Sequence, residues 1–261
     1  MSDAPAAAPD GTPVIQMLDV YKSFGAHKVL QGVNLTCEKN QITILIGRSG
    51  SGKSVTLKHL IGLLMPDAGR VLIDGIDMTQ LGPIELNNMR RKFGMLFQDG
   101  ALFDSMNVAE NVAFPIKETR KFTKSEIAEK VRDALEEVGL HGVGQKMPSE
   151  LSGGMRKRAA LARAIVLGPD IMLYDEPTTG LDPIMTDSIH RLIRSTKEHL
   201  GHTSFIISHD ISAAMKIADQ MAVLYEGRII ATGPPDEIRR HDHPFIQAFL
   251  AGEHAGFDDQ A

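Results

Sequence analysis

This 261-residue chain has no tryptophan, a single cysteine, no long apolar run and no excess of positive charge. Cys37 alone cannot close an internal disulfide, so a disulfide framework is excluded and a reducing compartment fits. No apolar run reaches the roughly 18 residues that a membrane-spanning helix needs. Lys and Arg number 28 against 33 Asp and Glu, a net charge of −5, which removes the electrostatic case for a nucleic-acid partner. The opening "MSDAPAAAPDGTP" has neither a basic start nor a leucine-rich stretch, so it reads as a disordered leader over 1–13 and not a secretory signal. The last residues, 251–261, read as a second disordered tail, leaving 14–250 as the folded part.

What is present supports a sizeable core, since 43% of the residues are hydrophobic. "VIQMLDVYKSF" and "VLQGVNLTCE" alternate apolar and polar residues, as half-buried antiparallel strands do. "ITILIG" is rich in β-branched residues and fits a strand buried on both faces. "KSVTLKHLIGLL" reads as a helix up to Pro66, "GRVLIDGIDM" as a hairpin and "KFGMLFQ" as a short strand. An amphipathic helix runs from a Ser125 cap to Gly139, within a mostly helical stretch of about 98–167. "DIMLYDEP", "SFIISHD" and "QMAVLYEGRII" return to strands. Strands alternating with helices indicate an α/β fold with a mostly parallel sheet, an antiparallel β-subdomain at its N-terminal side and an inserted helical subdomain.

"GRSGSGKS", Gly47 to Ser54, matches the phosphate-loop pattern G-x-x-x-x-G-K-[ST] without deviation. Gly47, Gly50 and Gly52 allow the tight curvature that lets successive N–H groups converge on phosphate oxygens. Lys53 supplies a point charge for the β- and γ-phosphates, Ser54 a hydroxyl for Mg²⁺, and the following helix its N-terminal field. "IMLYDE" ends an apolar strand in two carboxylates, where open α/β folds bind ligands. Asp175 suits the Mg²⁺ shell and Glu176 the acceptance of a proton from an attacking water. His209 and Gln98 follow apolar strands in the same way; either alone is weak, but both gain weight beside Lys53 and Asp175.

"SELSGGMRKRAALARAI" poses a separate problem. Arg156, Lys157 and Arg158 stand in the first turns of a helix, where partial positive charge already disfavours cations. They agree with an anion brought to that end, and equally with an exposed basic face or with partners such as Glu150.

Together these pieces resemble the nucleotide-binding subunit of ABC transporters, over about Val14 to Leu250. The resemblance places the Walker A motif on Gly47 to Ser54, Walker B on Ile171 to Asp175 with Glu176 next, and the signature on "LSGGM", Leu151 to Met155. It places the Q-loop on Gln98, the D-loop on Gly180 to Asp182 and the H-switch on His209. It implies a P-loop NTPase with a RecA-like core, binding ATP through Phe24 on adenine and through Gly47, Ser49, Gly50, Ser51, Gly52, Lys53, Ser54 and Val55. Tyr21 is a second candidate for the adenine contact. Mg²⁺ would be held by Ser54, Gln98 and Asp175, with Glu176, His209, Gln98 and Lys53 in catalysis. In this family Ser152, Gly153 and Gly154 meet the γ-phosphate of ATP bound to the other subunit, which implies a homodimer. Met155 departs from the usual glutamine, losing a side-chain hydrogen bond but not the main-chain contacts.

"FQDGALFDSMNVAENVAFP" with the methionine-bearing signature looks like the Mla-type ATPases that energise lipid traffic between bacterial membranes. This implies a peripheral subunit on the cytoplasmic face of the inner membrane, beside a permease, a lipid-binding subunit and a small regulatory subunit. Leu102, Phe103, Val108, Val112 and Phe114 are expected either to line a permease-docking groove or to fill the helical subdomain's core. Another cargo, or a soluble ABC ATPase working on ribosomes or DNA, is the alternative. The single Walker A weighs against the latter. "HDH" at His241 to His243 suggests no metal, and "HPFIQAFLAG" reads as a helix that caps its own domain or binds a partner.

Overall fold

A computed structural model describes residues 13–252, except the side chains of 212 and 213; the expected leader and tail lie almost wholly outside them. The chain divides into two units, one holding the residues up to Leu81 and from Ile207 onward, the other Gly82–Ile206.

In the first unit β1 (Ile15–Phe24) and β2 (His27–Cys37) form a hairpin, and β4 (Ala68–Ile73) and β5 (Ile76–Asp77) complete an antiparallel sheet of order β2-β1-β4-β5. Asp74 and Gly75 both have positive φ, the combination that two-residue hairpin turns require. β1 bulges at Asp19, whose N–H is taken by the Asn34 carboxamide at 3.0 Å. Gly69 of β4 lies so close to the Asp19 carbonyl that any side chain would collide with it, which fixes glycine there. β3 (Ile42–Ile46) is buried at every position and pairs in parallel with β9 (Gln220–Tyr225).

Two boundaries differ from expectation here. The helix after the phosphate loop, α1 (Lys53–Leu60), stops six residues short of Pro66 because Gly62 turns left-handed at φ 65°. "QMAVLYEGRII" is not one strand: β9 and β10 (Arg228–Gly233) pair antiparallel around Glu226 and Gly227, both at positive φ. After α7 (Ile211–Ile217) and α8 (Pro235–Arg239), the C-terminal α9 (Pro244–Leu250) buries Phe245 and Ile246, with the Phe245 ring 4.1 Å from that of Tyr225. That is the self-capping role.

The second unit carries α2 (Pro83–Arg90), which periodicity had not marked, then β6 (Phe93–Leu96), α3 (Val108–Thr119) and α4 (Lys124–Glu137). It continues with α5 (Gly153–Ile165), β7 (Ile171–Asp175) and α6 (Pro183–Leu200). The α4 cap is Thr123, not Ser125: its hydroxyl accepts from the Glu126 N–H while the Glu126 carboxylate accepts from the Thr123 N–H. β6 and β7 are parallel, Leu96 opposite Tyr174, so the residues after both strands leave on one edge. The division between units falls inside β8 (Thr203–Ser208), and the larger sheet has the order β10-β9-β3-β8-β7-β6. No helix among the described residues is long and apolar enough to cross a membrane.

His202, at the entry to β8, is 1% exposed, and neither ring nitrogen has a hydrogen-bond partner. Burial, assisted by the Lys197 charge, pulls its pKa down to about 4. Below its ordinary value the unfolded chain takes up a proton that the folded chain refuses, so stability falls as pH drops from 6.5 towards 4. Melting temperatures between about pH 7 and pH 5 should fall less steeply in His202→Phe than in the parent chain. Parallel slopes would show that this histidine is not the titrating group.

Candidate functional site

In the first unit the all-buried β3 delivers the chain into the loop Gly47–Gly52. Gly47 lies against the Leu224 carbonyl of β9, where a side chain would collide. Gly50 and Gly52 turn left-handed at φ 78° and 106°. Gly52 caps α1 without a side-chain acceptor, and the first turn of α1 holds no acid. The N–H groups of that turn, Lys53 to Val55, therefore end the helix with no capping side chain. Lys53 is 5% exposed and its ammonium donates to the carbonyls of Gly47 at 2.7 Å and Arg48 at 2.8 Å. The carbonyls thus close on the cation.

Ser51 Oγ is buried and unpartnered, and Ser54 is exposed. A buried hydroxyl without a partner, uncapped N–H groups and a fixed ammonium are what phosphate oxygens satisfy, so these residues fit a nucleotide phosphate chain. Phe24, at the end of β1, is 49% exposed, with the Lys22 ammonium 5.7 Å from its ring centre. That ammonium is itself held by Asp67 at 2.7 Å and the Met65 carbonyl at 3.0 Å. Tyr21, the second candidate, is 46% exposed and lays its hydroxyl against Gly32 of its own hairpin, so both rings are open to a ligand. His209 is exposed in the turn from β8 to α7, where the Asp210 N–H donates to Ser208 Oγ at 3.0 Å.

In the second unit Ile171 to Tyr174 are fully buried, and Asp175 and Glu176 emerge half-buried. Glu176 has a left-handed backbone at φ 46°, uncommon without a glycine. Its carboxylate accepts from the Thr179 hydroxyl at 3.0 Å, and its carbonyl from the Thr179 N–H at 3.2 Å. Gln98 does not end β6 as expected; the strand stops at Leu96, and Gln98 stands two residues on, in a turn. The parallel register brings Gln98, Asp175 and Glu176 to one edge. Hydroxyl, amide and carboxylate oxygens of Ser54, Gln98 and Asp175 are the hard donors that Mg²⁺ prefers.

Ser152 caps α5, its hydroxyl accepting from the Met155 N–H at 3.3 Å, and Ser152 and Gly153 are exposed. Gly154 is buried against the Met185 side chain of α6, where a Cβ would collide. Two of the three cations that open α5 turn to partners that none of the expected alternatives included. Lys157 donates to the Gln98 carbonyl. Arg158 donates to the Val138 carbonyl and Ser188 Oγ, each at 2.9 Å. Arg163 donates to the carbonyls of Ala101 at 2.7 Å and Gly100 at 2.8 Å. Only Arg156 of the three is exposed. Glu150 does not meet them; its carboxylate accepts from the Met147 N–H at 2.6 Å. These partners stand tens of residues away in sequence, so no local pattern pointed to them.

Beside this edge an apolar cavity of about 410 Å³ is lined by Phe93, Met95, Phe97, Phe103, Phe114 and Leu167, among others. The Phe103 and Phe114 ring centres are 4.9 Å apart. Val108 and Val112 are fully buried instead, so the two alternatives for this stretch divide residue by residue.

The sequence pattern of the family described as "ABC transporter" matches residues 30–179. The chain is 43% identical over 255 residues to the "probable ribonucleotide transport ATP-binding protein mkl" of Mycobacterium tuberculosis, covering 97% of this chain and 71% of that one. It is also 43% identical over 243 residues to the "intermembrane phospholipid transport system ATP-binding protein MlaF" of Haemophilus influenzae, covering 93% and 92%. Among solved structures, cbiO1 from Clostridium perfringens, part of the ABC transporter complex cbiONQ, matches with a TM-score of 0.83 at 29% identity, over 92% of this chain and 95% of that one. The ATP-binding cassette MJ0796, a dimer in a post-hydrolysis state bound to ADP and Pi, matches with a TM-score of 0.76 at 30% identity, over 85% and 98%. A phosphate loop, a strand ending in paired carboxylates and a serine-capped helix that opens with two glycines thus occur in a chain that belongs to the ABC transporter family of ATP-hydrolysing proteins.

Proposed function

We propose that this chain is the ATPase subunit of a Mla-type transporter, working as a homodimer that sandwiches two ATP molecules and energises phospholipid movement between membranes. The observation that carries the ATPase is the phosphate cradle: Lys53 fixed by two carbonyls, Ser51 Oγ buried without a partner and the uncapped first turn of α1. Gly47 and Ser49 to Val55 wrap the phosphates, and Phe24 offers an open ring to adenine. Lys53 stabilises charge as it moves onto the leaving phosphate, positioning and electrostatics being most of phosphoryl-transfer catalysis. Mg²⁺, held by Ser54, Gln98 and Asp175, supplies charge neutralisation on the phosphate oxygens when bound. Glu176, with its backbone constrained and one carboxylate oxygen tied to Thr179, accepts the proton of the attacking water. His209 contacts the γ-phosphate. Ser152, Gly153 and Gly154 of the other subunit close the sandwich, meeting an anion with a helix N-terminus. The work available is the difference in ATP affinity between closed and open dimers.

The likeness to MlaF over nearly both whole chains supports the phospholipid cargo, and with it a peripheral position on the cytoplasmic face of the inner membrane. The mycobacterial relatives are named for ribonucleotide transport, which makes a nucleotide cargo the second reading. The apolar cavity around Phe103 and Phe114 receives an apolar segment of the permease, aromatic surface being enriched at such contacts. A lipid-binding subunit and a small regulatory subunit complete the assembly.

Affinity purification of the tagged chain from gently solubilised bacterial membranes, with mass spectrometry of proteins and lipids, tests the cargo. A polytopic permease with phospholipid supports the proposal; a permease with bound ribonucleotide replaces the cargo; ribosomes without a membrane protein overturn it. Glu176→Gln should bind ATP, elute as a dimer with ATP present and lose at least about 100-fold in turnover. Retained multiple turnover would remove Glu176 as the base. Phe103→Asp should keep the isolated subunit's ATPase within about twofold while abolishing co-purification of the permease, since a buried unpaired carboxylate is costly in an apolar contact.

A further inference from the structure

The chain from Gln98 to Asn107 forms almost no regular structure, yet side chains hold its main chain closely. Asn111 of α3, fully buried, donates to the carbonyls of Phe103, Met106 and Asn107 at 3.0 to 3.1 Å and accepts from the Phe103 N–H at 2.7 Å. Gly100 and Ala101 are successively left-handed, at φ 75° and 47°, and Arg163 of α5 takes both their carbonyls. Alanine resists that conformation, so the loop needs such holding. Lys157, also of α5, takes the carbonyl of Gln98 itself.

Lys157 is an expensive way to secure one carbonyl. It is 7% exposed, and burial pulls the ammonium's pKa down, against the charges of Asp99 first and then Asp175 and Glu176. A buried cation is destabilising unless charge and hydrogen bonds offset its lost hydration, and an apolar side chain of similar volume packs at less cost. A residue serving packing alone would therefore not be lysine. Its position is also specific: five residues after the cap Ser152, it stands about 7 Å along the same helix.

We propose that Lys157 is a positioning residue for Gln98, fixing its main chain to the signature helix so that the Gln98 amide and the Ser152–Gly154 end of α5 are held as one piece. The inference rests on the reading of Gln98 as a ligand in the nucleotide site. An anion drawn to the N-terminus of α5 then biases Gln98 of the same chain, linking the two faces of one subunit through a single hydrogen bond. Charged donors make the stronger hydrogen bonds, so the link resists small displacements.

The test compares Lys157→Met, Lys157→Arg, Gln98→Ala and the double variant Lys157→Met/Gln98→Ala. ATPase kinetics are combined with amide hydrogen exchange of the nucleotide-free protein over 97–106 and over β1. Lys157→Met should lower kcat about tenfold with KM for ATP changed less than about twofold, a split that marks lost positioning and not lost binding. Lys157→Arg should restore kcat to within about threefold. The double variant should be no slower than Gln98→Ala, as expected when one residue acts through the other. Exchange should rise over 97–106, where the Gly100 N–H donates to Phe97 at 2.9 Å, and stay unchanged over β1. Parent-like kcat in Lys157→Met beside a slow Gln98→Ala overturns the proposal and leaves Gln98's role intact. Losses that multiply in the double variant also overturn it. Parent-like kcat in Gln98→Ala removes both Gln98's role and the proposal. If Lys157→Met fails to fold, Lys157→Gln gives the same comparisons with the same readings.

Discussion

A buried lysine donating to main-chain carbonyls just beyond a strand recurs in both units of this chain, and the site's rigidity depends on it. Lys53 gathers Gly47 and Arg48 beyond β3, and Lys157 holds Gln98 beyond β6. The physical problem is the same in each case. A strand that leaves a sheet stops pairing its carbonyls while it is still shielded from water, and an unpaired buried carbonyl costs free energy comparable to a lost hydrogen bond. A long side chain with a charged tip crosses the gap, and its stem covers apolar surface on the way. In the phosphate loop the result is a set of inward carbonyls that leaves N–H groups to meet an anion. Beyond β6 the result is an irregular loop with a defined shape.

The same demand explains why cations crowd the first turns of α5. The helix field disfavours them there by a few tenths to about 1 kcal/mol each. Each of Lys157 and Arg158 recovers more than that by satisfying a carbonyl that local chain geometry leaves open. The anion site proposed for this helix end is the cap and glycines, Ser152 to Gly154, while Lys157 and Arg158 serve the interior and Arg156 stays exposed.

What was legible in the sequence was local. The phosphate loop, the buried strands and the Asp74–Gly75 turn follow from residue types within ten positions of one another, and each appears where the pattern puts it. Boundaries decided by a single left-handed residue were less legible: Gly62 ends α1 early, and Glu226 with Gly227 splits one apparent strand into β9 and β10. Thr123 outcompeted Ser125 as the α4 cap because Glu126, three residues on, completes the reciprocal pair only for threonine. The partners of Lys157 and Arg163 lie 59 to 63 residues away, so the sequence shows the cations but not what they hold. For the same reason the stretch after Gln98 could not be sorted into core and groove: Val112 and Phe114 differ in burial by helix face, which α3 settles.

Two of the left-handed residues that are not glycine lie beyond the ends of β6 and β7. Glu176 follows β7 directly and Ala101 lies five residues beyond β6, both left-handed without the glycine that would make this easy. Such conformations cost of order 1–3 kcal/mol and persist only where neighbours over-determine them. Thr179 holds the first through two hydrogen bonds and Arg163 the second through one, on the adjoining strands of one parallel pair. A relaxed loop at either place would gain stability and let its polar groups sample several orientations, each of which would have to be reordered when charge develops on a phosphate. Holding the strain in the resting chain moves that reordering cost from the reaction to folding, where it is offset by the fully buried Ile171 to Tyr174 of β7. The stability of the apolar strand and the readiness of the polar edge are therefore one design: the first makes the second tolerable.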